Sequence, residues 1–391
     1  MALARQRVDV IVVGGGSVGA ATALGLRQQG WEVALVERRP RPRFDTTAPV
    51  TRVAVLNSAS LGLLEQLEVV SDLRETRMHG ISRMCVWDAH SDAQLEFDAD
   101  ALGLPALGWT AEHLELEALA WNQLEREGVT LFPGQEWRHI ELCAGYRALH
   151  LSDRILEARL VVAADGAESR LREQSGIAVR RKPYGVAVVA TVRTRFPHED
   201  SAWQRFNGDE ILAFLPLQDG RCSIVWSVPE YRADQLQRME SSEFADCLAS
   251  ALGQRLGAVE ESSPRFQYPL VGRQAQEYGQ RRLVLIGDAA HTIHPLAGQG
   301  LNLGFADVSG LLAVLGARLG ADPGADPVLQ DYTRKRRIPN EFALRSMEQL
   351  RWWFGSAGSG HTTLRRIGVT WVNESPSLKR FFAHRAVTAL W

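Results

Sequence analysis

Cysteine is scarce in this 391-residue sequence: Cys85, Cys143, Cys222 and Cys247 stand far apart, with no C-x-x-C pair. That spacing excludes a zinc-ribbon arrangement and a disulfide framework, leaving isolated thiols of a reducing compartment. Long apolar runs are missing as well. No stretch reaches the eighteen or so consecutive apolar residues of a membrane span, and the apolar run before the first glycines is too short for a secretory core. The chain is therefore expected to be cytoplasmic. A surplus of positive charge is also lacking: the formal net charge is −2, which argues against nucleic acid as a partner. There is no P-loop, no G-x-S-x-G elbow and no H-E-x-x-H. His291 and His294 lie three apart, but no companion carboxylate or cysteine follows at ligand spacing and Pro295 breaks any helix there, so no metal is expected. They are expected to line a cofactor pocket instead.

What is present is 45% hydrophobic and 23% charged sequence, the composition of a folded protein large enough for two or three domains. Val8–Val13 is a β-rich run ending at Gly14-Gly15-Gly16-Ser17-Val18-Gly19. Ala20–Gln29 then reads as a helix closed by Gly30, and Val33–Glu37 as a second strand. G-x-G-x-x-G between a strand and a helix describes a dinucleotide site. Gly14 permits the tight turn, Gly16 admits the pyrophosphate and Gly19 allows close helix–strand packing, while the helix N-terminus faces phosphate. Glu37, about twenty residues on, is placed to accept from ribose hydroxyls, with Arg38 beside it. Helices are expected over 58–76 and 111–127, strands around a turn over 81–97, and short strands at Val161–Ala164 and Arg282–Ile286. Between 184 and 229 come several β-rich pieces, Gly185–Val192, Ile211–Leu215 and Cys222–Val228. Residues 321–327 read as a linker, and the chain after Asp331 is helical, basic and aromatic.

Two further segments decide between NAD and FAD. Asp165-Gly166-Ala167-Glu168-Ser169, with Arg172, resembles the D-G motif of class A flavoprotein monooxygenases. Gly287-Asp288-Ala289-Ala290-His291 and Pro295-Leu296-Ala297-Gly298-Gln299-Gly300-Leu301-Asn302 resemble their G-D motif and flavin-ring loop. The string GDAAHTIHPLAGQGLNLG is similar to the ubiquinone-biosynthesis hydroxylases of that class. The resemblance runs from about Val8 to Arg337. It implies an α/β fold: a Rossmann-like FAD-binding domain (1–78, 105–180 and 268–335), an interleaved mixed β-sheet substrate domain (79–104 and 181–267) and a C-terminal helical segment (336–391). It also implies that Arg52, Asp165 and Gly166 contact FAD, that Asp288 holds the ribityl chain, and that the loop Pro295, Gly298, Gln299, Gly300, Leu301 and Asn302 surrounds the ring. Asp288 also fits a helix N-cap, and the two roles are compatible. The family commonly shows Asn-Arg near residue 112 and Gln at 117, where this chain has Glu112-His113-Leu114 and Glu117, so no flavin contact is assigned to that helix.

The reaction so implied is insertion of one atom of O2 into the ring of a prenylated phenol or quinol, with NADH or NADPH as transient donor, consistent with the single dinucleotide motif, although some ubiquinone-pathway members draw electrons from other donors. Phe214, Pro216 and Trp226 are expected to wall the substrate pocket, or else to be sheet core. No catalytic base is named. The same fold also serves epoxidases and prenyl-chain reductases, and a non-catalytic flavoprotein scaffold is a reading of another class; the halogenase motif W-x-W-x-I-P is missing. From Arg334 to the end there are eleven Lys or Arg against three acidic residues. Interspersed with Trp352, Trp353, Phe354, Trp371, Phe381, Phe382 and Trp391, they suit peripheral contact with an inner-membrane surface or with a biosynthetic complex.

Overall fold

The structure is a computed structural model that describes residues 3–45, 52–71, 76–89, 94–294, 300–318, 320–355 and 375. Pro295, Gly298 and Gln299 of the expected ring loop lie outside the described residues, as do Trp371, Phe381, Phe382 and Trp391 of the tail.

The chain opens with β1 (Ala4–Val13), α1 (Ser17–Gln28), β2 (Val33–Glu37), β3 (Val53–Leu56), α2 (Ser58–Gln66) and β4 (His79–Ile81). It continues through β5 (Arg83–Asp88), β6 (Gln94–Asp98), α3 (Ala99–Leu102), β7 (Gly108–Glu112), α4 (His113–Arg126) and β8 (Thr130–Pro133). Next come β9 (His139–Cys143), β10 (Tyr146–His150), β11 (Arg154–Ala163), α5 (Arg170–Gln174), β12 (Val179–Thr194), β13 (Ser201–Asn207), β14 (Glu210–Pro216) and β15 (Cys222–Val228). The last stretch holds α6 (Glu230–Arg238), α7 (Ser241–Ala251), β16 (Val259–Ser262), β17 (Phe266–Ala275), β18 (Gly279–Gln280), β19 (Leu283–Leu285), β20 (His291–Thr292), α8 (Gly300–Gly316) and α9 (Asp326–Gly355).

The first sheet carries five parallel strands in the order β19-β11-β1-β2-β8, with β18 antiparallel to β19 and the β9–β10 hairpin antiparallel to β11. Val10–Val13, Ala34–Val36 and Leu160–Ala163 are all buried. A parallel sheet covered on both faces asks for such unbroken apolar strands. One cover is α1, whose Ala20, Ala21, Ala23, Leu24 and Leu26 are buried and which packs on α4 and α8. The second sheet runs β20-β17-β12-β15-β14-β13-β5-β6, antiparallel except for the β13–β5 pair. A small sheet, β3-β7-β4, lies between them in the chain. This is the Rossmann-like α/β architecture with a mixed sheet interleaved, followed by helices α8 and α9.

Local readings shift at the edges. The helix expected over 58–76 stops at Gln66, because Glu68 takes a left-handed backbone, φ 58°. Residues Asp326 and Pro327 of the expected linker already begin α9, since proline suits the first helical turn, where its missing N–H has no partner to lose.

Register settles which residues face where on the second sheet. Leu212 and Phe214 of β14, with Ile224, Trp226 and Val228 of β15, form one buried cluster with Ala233, Leu236, Phe244 and Leu248 of α6 and α7. Phe214 and Trp226 therefore pack against helices as sheet core and do not wall a pocket. Trp226 spends its ring N–H on Glu210, at 3.0 Å. Pro216 ends β14, and its carbonyl accepts from Thr110 Oγ1 at 2.8 Å, joining the second sheet to β7. The opposite face carries Ala202, Gln204 and Phe206 of β13, Ile211, Ala213 and Leu215 of β14, Ser223, Val225 and Ser227 of β15, and Ala187, Val189 and Thr191 of β12. Leu215 and Ala202 meet Val55 and Ile81 of the small sheet, and Ile211 and Phe206 meet Met347 and Phe354 of α9.

Candidate active site

Strands β19, β11, β1 and β2 are neighbours and parallel, so the turns that follow them open on one edge. That edge brings together Gly287-Asp288, Asp165-Gly166, Gly14–Gly19 and Glu37, segments up to 270 residues apart in sequence. It is the carboxyl edge, where open α/β sheets bind ligands.

The glycine turn is fixed by contacts only glycine tolerates. Gly14 has φ +108°, and a Cβ there would sit 2.2 Å from the Ala164 carbonyl oxygen. A Cβ on Gly19 would sit 2.0 Å from the Gly14 oxygen. Gly16 differs: a Cβ would meet only Glu117 Oε1, at 3.5 Å, so the space above it is open. Ser17 Oγ, at the start of α1, is buried without a hydrogen-bond partner among the described residues. Val18 packs against Gly304 and Gly287, tying α1 to α8 and to the G-D turn. Glu37 accepts from Gly15 N–H at 2.5 Å and Arg39 N–H at 2.8 Å. Arg38 is exposed; the guanidinium at this corner is that of Arg39, 3.2 Å from Glu37 and 3.3 Å from Glu117.

Asp165 Oδ2 accepts from Leu171 N–H at 3.2 Å, and its Oδ1 is buried with no partner among the described residues. Burial pushes this carboxyl above the usual carboxylate range. Gly166 follows with φ +86°. Arg172 donates to the carbonyls of Ala289 (2.8 Å) and Ala167 (2.9 Å), so it clamps the D-G segment to the G-D segment. Burial likewise pushes the Asp288 carboxyl up, and Arg52 opposes that rise.

Helix α8 begins at Gly300, and its first N–H groups have no intrahelical acceptor. Leu301 packs on the first-sheet core. The Asn302 side chain is occupied structurally: it donates to Val55 O at 2.8 Å and accepts from Asn57 N–H at 3.0 Å. Its backbone N–H lies in the first turn of α8, where it has no intrahelical acceptor.

His291 does not line the pocket. Its Nε2 lies 2.5 Å from Oδ2 of Asp307, which is fully buried in α8. Asp307 also accepts from Gly287 N–H (3.0 Å), Arg336 Nε (2.8 Å) and Asn340 Nδ2 (2.9 Å). Burial alone would raise this carboxyl, but His291 and Arg336 prevail and hold it at about 2. The network fixes the turn that presents Asp288. His294 is buried edge-on to Tyr184, and burial with nearby Arg351 pushes it down to about 3.

Sequence reasoning expected helix α4 but gave it no part in the site. Its His113, Glu117 and Trp121 recur at four-residue spacing, which puts them on one helix face. Trp121 donates to Gly15 O at 2.7 Å and Glu117 reaches Gly16. Burial, with Arg52 adding to it, pushes His113 down to about 3, so its imidazole is neutral. The signal was the spacing itself.

The residues present fit an FAD: an unobstructed approach at Gly16, two buried polar atoms without partners at Ser17 and Asp165, a carboxylate at the ribose position and another at Asp288. Comparison with known proteins agrees. Residues 7–345 match the FAD_binding_3 family, described as FAD binding domain. The chain is 35% identical over 392 residues to the 3-demethoxyubiquinol 3-hydroxylase of Escherichia coli, covering 97% of this chain and 98% of that one. It is 32% identical to the ubiquinone hydroxylase UbiL of Rhodospirillum rubrum, with 98% and 90% covered. Among solved structures, p-nitrophenol 4-monooxygenase PnpA from Pseudomonas putida shares the fold, with a TM-score of 0.79 at 19% identity over 98% of this chain and 99% of that one. The family match, the full-length relatives and the cofactor geometry lead to one conclusion: the chain belongs to the FAD binding domain family and is an FAD-dependent monooxygenase of the hydroxylase type.

Proposed function

We propose that this enzyme hydroxylates the ring of a prenylated phenol or quinol, a ubiquinone precursor. The observation that carries the reading is the inner face of the second sheet: the residues named above on β12, β13, β14 and β15 include no charged side chain. A small aromatic acid would need a cation there to offset its carboxylate. Full-length similarity to the Escherichia coli hydroxylase supports the same substrate class.

FAD, when bound, supplies dioxygen activation and the electrophilic oxygen; the chain supplies position and dryness. Gly14, Gly16, Ser17, Val18 and Gly19 would hold the pyrophosphate, Glu37 and Arg38 the adenosine end, and Arg52, Asp165, Gly166 and Asp288 the middle of the cofactor. Pro295, Gly298, Gln299, Gly300, Leu301 and Asn302 would surround the ring, with the N-terminus of α8 stabilising negative charge on it. The neutral His113 imidazole, next to Arg52, is free to accept or donate a hydrogen bond.

NADH or NADPH is the proposed reductant. A cleft of about 330 Å³ lined by Arg180, Arg181, Lys182, Arg273, Arg345 and Glu348 lies beside the D-G segment, where Glu168 pairs with Arg181 and Arg273, and Glu348 with Lys182. Such a lining suits a dinucleotide's phosphates. No helix among the described residues is long and apolar enough to cross a membrane. Peripheral docking through the basic C-terminal segment would bring the enzyme to a substrate that lives in the bilayer. Replacing Arg365, Arg366, Lys379 and Arg380 with Gln should nearly abolish sedimentation with anionic liposomes, at about 1 kcal/mol per charge; unchanged sedimentation would refute docking. The substrate reading is tested by turnover: prenylated phenols should be hydroxylated with coupled NAD(P)H use. Efficient coupled turnover of 4-hydroxybenzoate, with none on prenylated substrates, would refute it.

A further inference from the structure

Strands β9 and β10 form a hairpin turned at Gly145, on the antiparallel flank of the first sheet. The register sets His139 opposite His150 and Glu141 opposite Ala148. Side chains alternate along a strand, so His139, Glu141, Ala148 and His150 share one face.

On that face the two imidazoles stack, with centroids 3.9 Å apart and planes 21° apart. Both Nε2 atoms lie near one atom: Oε1 of Glu141 is 3.1 Å from that of His139 and 3.5 Å from that of His150. His150 Nε2 is buried, and its alignment on that oxygen is too poor for a hydrogen bond. Ala148 is too small to fill the space across from Glu141. Glu157, next to Ala148 on β11, is already paired with Arg5 and Arg7.

Two imidazole nitrogens and a carboxylate oxygen are zinc ligands, and bonds of 2.0–2.1 Å in a tetrahedral shell place neighbouring ligand atoms about 3.3 Å apart. The two Nε2–Oε1 separations, 3.1 and 3.5 Å, bracket that value, and binding would turn the stacked rings about χ2 so that both nitrogen lone pairs converge on one ion. The geometry points to a zinc-class divalent cation site formed by His139, Glu141 and His150, with water completing the shell. It would staple β9 to β10. One other trio, His79, His198 and Asp200, gathers among the described residues. There His198 has both nitrogens committed, one accepting from Asp200 N–H at 3.0 Å and the other 3.1 Å from Leu217 O.

The test is equilibrium dialysis of the untagged, FAD-loaded chain against Zn2+, with bound metal counted by atomic absorption. One Zn2+ per chain is expected, with affinity falling more than about tenfold in His150→Gln and in Glu141→Gln and unchanged in His198→Gln. Zn2+ should also raise the melting temperature of the parent protein but not of His150→Gln, a comparison that holds even if the variant is less stable. Absence of saturable uptake, an unchanged isotherm in His139→Gln/His150→Gln, or loss of uptake in His198→Gln instead would each overturn the assignment.

Discussion

Asp307 lies in α8, twenty residues after Gly287, yet its substitution should disturb the site as much as any cofactor contact. Its two oxygens receive four donors: Gly287 N–H and His291 on Oδ2, Arg336 and Asn340 on Oδ1. Asp307→Asn keeps the shape but offers one oxygen and one NH2. With the NH2 on the Arg336 side two donors face a donor; with it on the His291 side Gly287 N–H does, and His291 must shift tautomer to accept. Removing one partner of a buried, hydrogen-bonded pair typically costs about 3–5 kcal/mol, because Arg336 is left buried with no counter-charge. Urea unfolding of the FAD-free protein should show that loss, and weaker FAD binding should accompany it, since the Gly287 turn presents Asp288. A pH series adds a second reading. The folded carboxyl stands at about 2 against roughly 3.9 when unfolded. A depressed carboxyl contributes stability above the unfolded value, so the parent's advantage should persist above about pH 4 and vanish as pH falls toward 2, with on the order of 2–3 kcal/mol at stake. A destabilisation below about 1 kcal/mol, or an advantage that grows on acidification, would refute this role.

Glycines 16 and 19 should separate cofactor binding from folding. Gly19→Ala must displace backbone and should cost about 1–3 kcal/mol in urea unfolding, whereas Gly16→Ala should leave FAD-free stability within about 0.5 kcal/mol yet bind FAD poorly by fluorescence titration. Asp288→Ala should weaken FAD binding by about 10–150-fold, the equivalent of roughly 1.5–3 kcal/mol, and full flavin retention would remove Asp288 from the site. Phe214→Ala should lose about 3–5 kcal/mol of stability with the substrate KM unchanged, whereas Leu215→Ala, on the inner face, should change KM.

The strand-turn-helix opening was legible because glycine chemistry and apolar strands announce a buried parallel sheet, and Gly14 and Gly19 show the contacts that demanded them. The D-G and G-D segments were legible as motifs, but nothing local says that β11 lies beside β1 and β19 beside β11; that pairing belongs to the fold. Phe214 and Trp226 were left open between pocket wall and sheet core because alternation tells that a strand has two faces, not which one meets a helix, and α6 and α7 were not foreseen. His291 looked like a loop residue because its partner, Asp307, lies sixteen residues on, in the next helix. The α4 face of His113, Glu117 and Trp121 was readable from its spacing, but an unfamiliar His and Glu at familiar positions concealed it.

The central claim is that the chain transfers one atom of dioxygen to an aromatic ring. Turnover under 18O2 by the FAD-loaded enzyme, with a prenylated phenol and NADH or NADPH, tests it most directly by mass spectrometry of the product. The account predicts one heavy oxygen in a new ring hydroxyl for each nicotinamide oxidised. A hydroxyl drawn from water, an epoxide, or a reduced prenyl double bond with no label would contradict it.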